Sequence, residues 1–236
     1  MYSTNVSHLA RRPLDLERTG SGLLRRMPTP DHVRRRVVAQ AHNPTGPVGQ
    51  VVGWVFGHRS SNVRRNRWAV ELLEVKPSDR VIELGCGPGV AVAALADRAT
   101  HGLVVGVDHS AVVLGQARRR NADAIKAGRV RLIHAPVEHL QVADGPFDAA
   151  LAANTVGMWP EPTVRLREIG RLLRPGGRIA LVSQPRCPGA NAATSAAAAD
   201  RLAAQLSQAG FEDMRVETLG LDPPAVCVLA TQPDGD

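Results

Sequence analysis

Aromatic residues are scarce in this chain of 236 residues, which has three Trp, one Tyr and three Phe. A core of this composition is built mainly from Val, Leu, Ile and Ala, and a binding pocket cannot be a thick aromatic box. With 44% hydrophobic residues the chain is nonetheless globular rather than disordered. The length predicts one well-buried core with an appendage and is too short for two full domains.

Cysteine and long apolar runs are also rare. Cys86, Cys187 and Cys227 are odd in number and widely spaced, which indicates neither a disulfide framework nor a metal site. No apolar stretch approaches the ~18 residues that span a bilayer, and the first residues lack the features of a signal peptide. We therefore expect a cytoplasmic protein with no transmembrane segment and no bound metal.

Lysine is nearly absent: the chain has only Lys76 and Lys126, so arginine supplies almost all of the positive charge. Twelve arginines lie among the first 67 residues, where only Asp15, Glu17 and Asp31 oppose them, and the net charge of the chain is +7. This asymmetry is compatible with nucleic acid, acidic lipid or an acidic substrate, and also with a solvated arm. We favour the solvated arm, so no nucleic-acid partner is expected; contact with a membrane surface stays open.

The part of the chain before residue 62 differs in pattern from the rest. Residues 1–28 show no sustained periodicity and are predicted to be a loose, Arg-rich arm. Residues 29–61 are predicted to be a helical extension, in which Gly49, Gly53 and Gly57 share one face and permit close approach by another element. This extension is interpreted either as a lid over the site or as a packing element.

Residues 62–236 alternate short apolar runs with helical patterns, starting from a helix at Asn62–Glu74 whose Ala69, Leu72 and Leu73 face inward. Such alternation is typical of a doubly wound α/β domain with a parallel sheet. The predicted strands are Arg80–Leu84, Leu103–Val107, Val130–His134, Asp148–Ala153, Arg178–Ser183, Met214–Thr218 and Ala225–Thr231. The predicted helices between them are Val90–Ala99, Ala111–Ala127, Glu161–Leu173 and Asn191–Ala209.

Three alternate glycines, Gly85, Gly87 and Gly89, follow the first predicted strand, and the acidic Glu83 precedes them. Glycine permits a tight turn and lets a ligand approach the backbone. The carboxyl end of the first strand is also where open α/β sheets bind ligands. The dinucleotide fingerprint would require its third glycine at position 90, which is Val90. The spacing therefore disfavours a nicotinamide cofactor.

A second acidic residue, Asp108, ends the next predicted strand. Its carboxylate can accept hydrogen bonds from both hydroxyls of an adenosine ribose, each worth roughly 1.5–3 kcal/mol. The alternative interpretation is a cap for the helix that begins at Ala111, a role that Ser110 could also serve.

In these motifs the chain resembles the class I S-adenosylmethionine-dependent methyltransferases, most nearly the ubiquinone- and menaquinone-biosynthesis type. The matching stretches are Glu83–Gly89, Gly106–Asp108, Phe147–Ala149, Leu173–Gly177 and Gly210–Phe211, whose order and spacing cover about residues 62–232. The resemblance implies a seven-stranded, mostly parallel sheet of the Rossmann-like methyltransferase fold, with the last strand antiparallel. It also implies S-adenosylmethionine as the cofactor, lying across the ends of strands one, two and four.

The resemblance also implies which residues bind that cofactor. The three glycines would surround its methionine part, Glu83 would support its amino group, and Asp108 would hold its ribose. Pro136 and Val137 match the adenine contact, although Pro136 replaces the carboxylate that the family commonly has. The residues expected to contact the cofactor are Glu83, Gly85, Cys86, Gly87, Gly89, Asp108, His109, Pro136, Val137, Asn154 and Thr155.

The acceptor is constrained by residues that are missing after the fourth strand. Enzymes that methylate the amino groups of bases carry an Asn/Asp-Pro-Pro-aromatic run there, whereas this chain continues Asn154-Thr155-Val156-Gly157. A small-molecule or lipid-like acceptor with an O, N or C nucleophile remains. We expect a mostly apolar pocket, covered by residues 29–74, Trp159 and the loop at 185–189.

No catalytic residue is assigned, because direct displacement at the sulfonium carbon needs no protein nucleophile. His58 is a candidate general base. Two other functions remain open, namely an inactive cofactor-binding partner subunit and, less favoured, a nicotinamide-dependent oxidoreductase. We expect a monomer or a homodimer.

Overall fold

The computed structural model describes residues 45–140 and 142–234, so the predicted arm at 1–28 and the helix predicted from Thr29 lie outside the described residues. The strands are β1 Arg80–Leu84, β2 Leu103–Asp108, β3 Val130–His134, β4 Phe147–Ala153, β5 Leu173–Ser183, β6 Glu212–Leu219 and β7 Ala225–Thr231. The helices are α1 Gly46–His58, α2 Ser60–Leu72, α3 Val90–Arg98, α4 Ala111–Arg120, α5 Ala122–Lys126, α6 Pro162–Gly170 and α7 Ala192–Ala209.

The seven strands form one sheet in the order β3-β2-β1-β4-β5-β7-β6. Neighbouring strands from β3 to β5 are parallel, and β7 is antiparallel to both β5 and β6. The predicted seven-stranded, mostly parallel sheet with an antiparallel last strand is confirmed. Because the order reverses between β1 and β4, a crevice is expected at the carboxyl ends of these two strands.

Both faces of the sheet are covered, because side chains alternate along each strand. Ile82 of β1 packs into a cluster with Leu166 of α6 and Leu206 of α7. Its neighbour Val81 packs into a second cluster with Leu95 of α3 and Leu73, just after α2. These residues are almost fully buried. The two-sided core confirms the doubly wound architecture.

Helix α1 packs on α4 through the glycine face predicted from the sequence. A Cβ built on Gly53 would lie 2.6 Å from Oε1 of Gln116 and 3.0 Å from Cγ1 of Val113. Gln116 also donates from Nε2 to the carbonyl oxygen of Gln50, at 2.7 Å. The opposite face is exposed, with Trp54 at 60%. The prediction that these glycines permit close approach is confirmed at Gly53 and at Gly57, where an added Cβ would lie 2.8 Å from Nη2 of Arg120.

The helix predicted over Ala111–Ala127 is wrong, because α4 and α5 are separated at Asn121. The buried Asn121 side chain donates from Nδ2 to the carbonyl oxygens of Gly89 and Ala117, at 3.2 and 2.9 Å. This contact with the glycine loop interrupts the helix. The long-range partner, rather than local propensity, therefore decides where α4 ends.

Two further boundaries differ from the predictions by three residues or more. The helix predicted over Glu161–Leu173 ends as α6 at Gly170, and β5 begins at Leu173 instead of Arg178. Leu173 pairs with Phe147 across a register irregularity in β4. The Pro-Gly-Gly run that reads as a turn is therefore absorbed into an irregular strand start. Within the described residues, no helix is long and apolar enough to cross a membrane.

Candidate cofactor and acceptor site

A cavity of about 1110 Å³ opens at the carboxyl ends of β1, β2, β4 and β5. The described residues of the predicted cofactor set that line it include Glu83, Gly87, Asp108, Pro136 and Asn154. Pockets for a single drug-sized ligand measure roughly 300–1,000 Å³. The cavity therefore has room for a cofactor and a second molecule.

In the loop between β1 and α3, Gly85 and Gly87 differ in the surroundings that a side chain would meet. At Gly85 the φ angle is +73°, and an added Cβ would lie 2.2 Å from Cγ2 of Thr155. At Gly87 the φ angle is +51°, and an added Cβ would meet nothing within 4 Å. Packing thus requires the first glycine, whereas the second presents bare backbone to the cavity.

The carboxylate of Asp108 holds this loop in place. Its Oδ2 accepts the backbone N–H of Gly87 at 2.8 Å, and its Oδ1 accepts the backbone N–H of Ser110 at 2.8 Å. Nδ1 of His109 lies 3.7 Å from Oδ1. An ionised carboxylate has about four lone-pair sites, so two further hydrogen bonds can be accepted. Ser110, and not Asp108, is the N-cap residue of α4, so the capping interpretation of Asp108 is wrong and the ribose-binding interpretation stays a prediction.

Glu83 has a buried carboxyl group, and one of its two oxygens is without a hydrogen-bond partner among the described residues. It is 3% exposed, and its Oε2 has no hydrogen-bond partner among the described residues. Burial, followed by the charge of Asp108, raises the pKa of Glu83 well above its usual range. A buried acceptor of this kind is stabilised by a cationic donor. The ammonium group of S-adenosylmethionine has that chemistry, so the residues present fit this cofactor.

Asn154 and Thr155 join the ends of three strands. Asn154, at a φ angle of +60°, accepts the backbone N–H of Gln184 on Oδ1 at 2.6 Å. Thr155 donates from Oγ1 to the carbonyl oxygen of Leu84 at 3.0 Å. The turn after β4 is therefore fixed to both β5 and β1 before any ligand arrives.

The other predicted cofactor residues lie on the same cavity wall. Pro136 and Val137 start a short 3-10 turn at Val137–His139 that follows β3. The Cys86 thiol is nearly fully buried among the core residues, and burial raises its pKa well above the usual range. The structure therefore brings the predicted set together at the cavity, with Cys86 contributing as a core side chain beside it, except for Gly89, which packs against Asn121 and does not line the cavity.

His58 does not gain support as a general base. It is exposed at the end of α1, where its Nδ1 lies 2.8 Å from the carbonyl oxygen of Trp54. Its ring stacks on the Trp54 ring with centroids 4.6 Å apart. Trp159, by contrast, lines the cavity as predicted, together with residues of the loop at 185–189.

The cavity also has polar walls that the sequence reasoning missed. Asn62, Arg65 and Asn66 line it from the inner face of α2, and Gln184 and Arg186 line it from the end of β5. A mostly apolar pocket was expected, so this lining is a difference from the prediction. The signal was present: Ala69 and Leu73 face inward, and three- and four-residue steps back along the helix lead to positions 62, 65 and 66. No cluster of His, Cys, Asp or Glu suited to a metal ion occurs among residues 45–140 and 142–234.

Comparison with known proteins agrees with the geometry. A family model described as a methyltransferase domain matches residues 81–177, which hold Glu83, Asp108 and Asn154. Over 184 residues the chain is 28% identical to the methyltransferase YdaC of Bacillus subtilis, covering 78% of this chain and 98% of that one. It is 36% identical over 107 residues to a demethylmenaquinone methyltransferase of Corynebacterium kroppenstedtii, covering 45% and 42% of the two chains.

The domain match at residues 81–177, together with the curated relatives, supports a class I S-adenosylmethionine-dependent methyltransferase. A methyltransferase of this kind from Aquifex aeolicus has the same fold, with a TM-score of 0.60 at 18% identity over 73% of this chain and 93% of that one. Apart from YdaC, the curated relatives are matched over 32% to 57% of their own length. The family match therefore includes the cavity residues from Glu83 to Trp159, whereas Arg65, Gln184 and Arg186, which line the same cavity, lie outside residues 81–177.

Proposed function

We propose that this methyltransferase transfers a methyl group from S-adenosylmethionine to a small-molecule acceptor that offers an O, N or C nucleophile. The observation that carries the proposal is the pair of buried carboxyl groups, Glu83 and Asp108, on either side of the glycine loop. Oε2 of Glu83 has no hydrogen-bond partner among the described residues, and the carboxylate of Asp108 can accept further hydrogen bonds. The backbone at Gly87 lines the same cavity and has no side chain to block a ligand.

Each part of the cofactor has a matching surface in the cavity. Glu83 would accept from the ammonium group, and the backbone at Gly85–Gly89 would follow the methionine chain. Asp108, with His109 beside it, would accept from the ribose hydroxyls. The turn at Pro136–Val137 would lie along the adenine ring, and Asn154 with Thr155 would lie beneath the sulfonium.

The bound cofactor supplies a methyl group already activated by its positive sulfur. The protein then has to hold the acceptor in line with that carbon and keep water away, and positioning of this kind can supply much of the rate. Asn154 is suited to this task, because its two bonds to Gln184 fix the position of the turn at the end of β4. We propose residues 62–236 as the cofactor-binding domain and residues 29–61 as an extension that contributes to the wall beside it.

The cofactor assignment is tested by thermal denaturation with added ligands. S-adenosylhomocysteine should raise the melting temperature of the full chain, and NAD and NADP should not. Stabilisation by NAD or NADP and not by S-adenosylhomocysteine would reject the proposal. A transfer assay with labelled S-adenosylmethionine and a panel of acceptors then separates an enzyme from an inactive cofactor-binding partner, since only the enzyme forms labelled product.

A further inference from the structure

A buried arginine lies at the acceptor end of the cavity, with no carboxylate partner in the described part of the chain. Arg65, on the inner face of α2, is 5% exposed. Its Nη1 donates to Oδ1 of Asn62 at 3.2 Å and to Oε1 of Gln184 at 3.3 Å. Its Nε is buried and has no hydrogen-bond partner among the described residues. The positive charge of Arg65 is thus buried, and the acceptors of its hydrogen bonds are two neutral amide oxygens.

A second arginine reaches the same two oxygens. Nη2 of Arg186, from the loop after β5, donates to Oε1 of Gln184 at 2.6 Å and to Oδ1 of Asn62 at 3.2 Å. Burial, followed by the charges of Arg186 and Arg59, lowers the pKa of Arg65 to about 10. Neither of these guanidinium groups, nor Arg59, forms an ion pair with an acidic residue in the described part of the chain.

This arrangement is built rather than accidental. Gln184 is 2% exposed, and its Nε2 donates to the carbonyl oxygen of Pro223 at 2.9 Å, which turns Oε1 towards the arginines. Arg65 is buried and Arg186 is exposed at the cavity wall; their positive charges repel each other, and an anion between them would relieve that repulsion. Guanidinium groups bind carboxylate and phosphate oxygens in pairs with fixed geometry.

We infer that Arg65 and Arg186 bind a carboxylate or phosphate group of the methyl acceptor, an inference that rests on the proposed function. The position favours the acceptor, because Gln184 is bonded to Asn154, at the end of β4, and not to the glycine loop. Trp159 and Leu202 line the same cavity and offer apolar surface. The acceptor therefore has an apolar body and one anionic group. The same chemistry could come from the carboxylate of the cofactor, and the experiment separates the two sources.

The test uses the full chain saturated with S-adenosylhomocysteine, titrated in a calorimeter with benzoate, with inorganic phosphate and with neutral benzamide. We expect one or both anions to bind and benzamide not to bind. Arg186→Gln should weaken anion binding roughly 10- to 150-fold and leave the affinity for S-adenosylhomocysteine unchanged. Arg64→Gln is the matched control, because Arg64 lies on the exposed face of the same helix and should change neither.

Two results would overturn the inference. In the first, neither anion binds the saturated wild-type protein, or both bind Arg186→Gln as tightly as wild type. In the second, Arg186→Gln and Arg65→Lys lower the affinity for S-adenosylhomocysteine but not the affinity for 5′-methylthioadenosine, which lacks the carboxylate. That result would mean that the two arginines bind the carboxylate of the cofactor. If S-adenosylhomocysteine fails to bind wild type, the proposed function fails instead, and titration of the ligand-free protein with the two anions still tests the arginines.

Discussion

Oδ2 of Asp108 accepts the backbone N–H of Gly87 at 2.8 Å, so one carboxylate both closes the glycine loop and faces the cavity. Removing it should therefore affect the cofactor site twice, through the lost ligand contact and through a loosened loop.

Asp108→Ala is expected to lower the affinity for S-adenosylhomocysteine by roughly 10- to 150-fold, which corresponds to about 1.5–3 kcal/mol. Isothermal titration calorimetry measures the change, with Asp123→Ala as a control because Asp123 is an exposed acid on α5. Wild-type affinity in Asp108→Ala would refute the assignment of Asp108 to the cofactor.

Glu83 should make the stability of the ligand-free protein depend on pH. Because burial raises its folded-state pKa, the folded protein retains a proton that the unfolded chain has lost. The free energy of unfolding should then fall as pH rises from about 4.5 towards the folded-state pKa, by up to about 1.4 kcal/mol per pH unit. Urea denaturation of wild type and Glu83→Gln across this range measures the effect.

Glu83→Gln should lose that slope, be more stable than wild type at neutral pH because it has no buried group to ionise, and bind S-adenosylhomocysteine more weakly because the anionic acceptor is gone. The two changes have opposite signs, which separates a functional carboxylate from a structural one. Parallel pH profiles for the two proteins would contradict the role of burial at Glu83.

Gly85 and Thr155 should be energetically coupled. A Cβ at Gly85 would overlap Cγ2 of Thr155, and the φ angle of +73° adds strain, so Gly85→Ala is expected to cost about 2–4 kcal/mol of stability. Thr155→Ser removes that methyl group and retains the hydroxyl bonded to Leu84. The double variant should recover about 0.5–2 kcal/mol relative to strict additivity.

Gly87→Ala provides the comparison, because its Cβ meets nothing within 4 Å. Gly87→Ala should lower the free energy of unfolding by only about 1–2 kcal/mol, because of the left-handed backbone. It should nevertheless lower the affinity for the cofactor, because the added methyl group would occupy space that the cofactor needs. Denaturation and calorimetry on the same four variants measure both quantities. Equal destabilisation by Gly85→Ala with and without Thr155→Ser would show that the two residues are not coupled.

Local patterns were sufficient for the existence of all seven strands, for the bounds of three of them and for the glycine loop. The bounds of β1, β3 and β7 were predicted without error, because each is a short apolar run with clear flanking turns. The end of α4 could not be predicted, since Asn121 stops the helix through a bond to Gly89, 32 residues earlier in the chain. Sequence spacing contains no record of that contact.

The acceptor side was harder for a different reason. Arg65 stands in a stretch of four arginines between residues 59 and 67, where a solvated surface is the usual interpretation. Only its helical phase relative to Ala69 and Leu73 distinguishes it from the exposed Arg64 and Arg67. Arg186 lies in a loop, so no helical periodicity predicts its orientation. Its proximity to Arg65 results from the packing of the sheet against α2, which the local sequence does not encode.

The inner face of α2 has two halves, a polar one at Asn62–Asn66 in the cavity and an apolar one at Ala69–Leu73 in the core. The apolar half sets the rotation of the entire helix, and each residue advances that rotation by about 100°. Insertion or deletion of one residue at position 67 or 68 would leave the core anchored and turn a different set of side chains towards the acceptor. A change in chain length at this point would thus replace several cavity-lining side chains at once, which no single substitution can do.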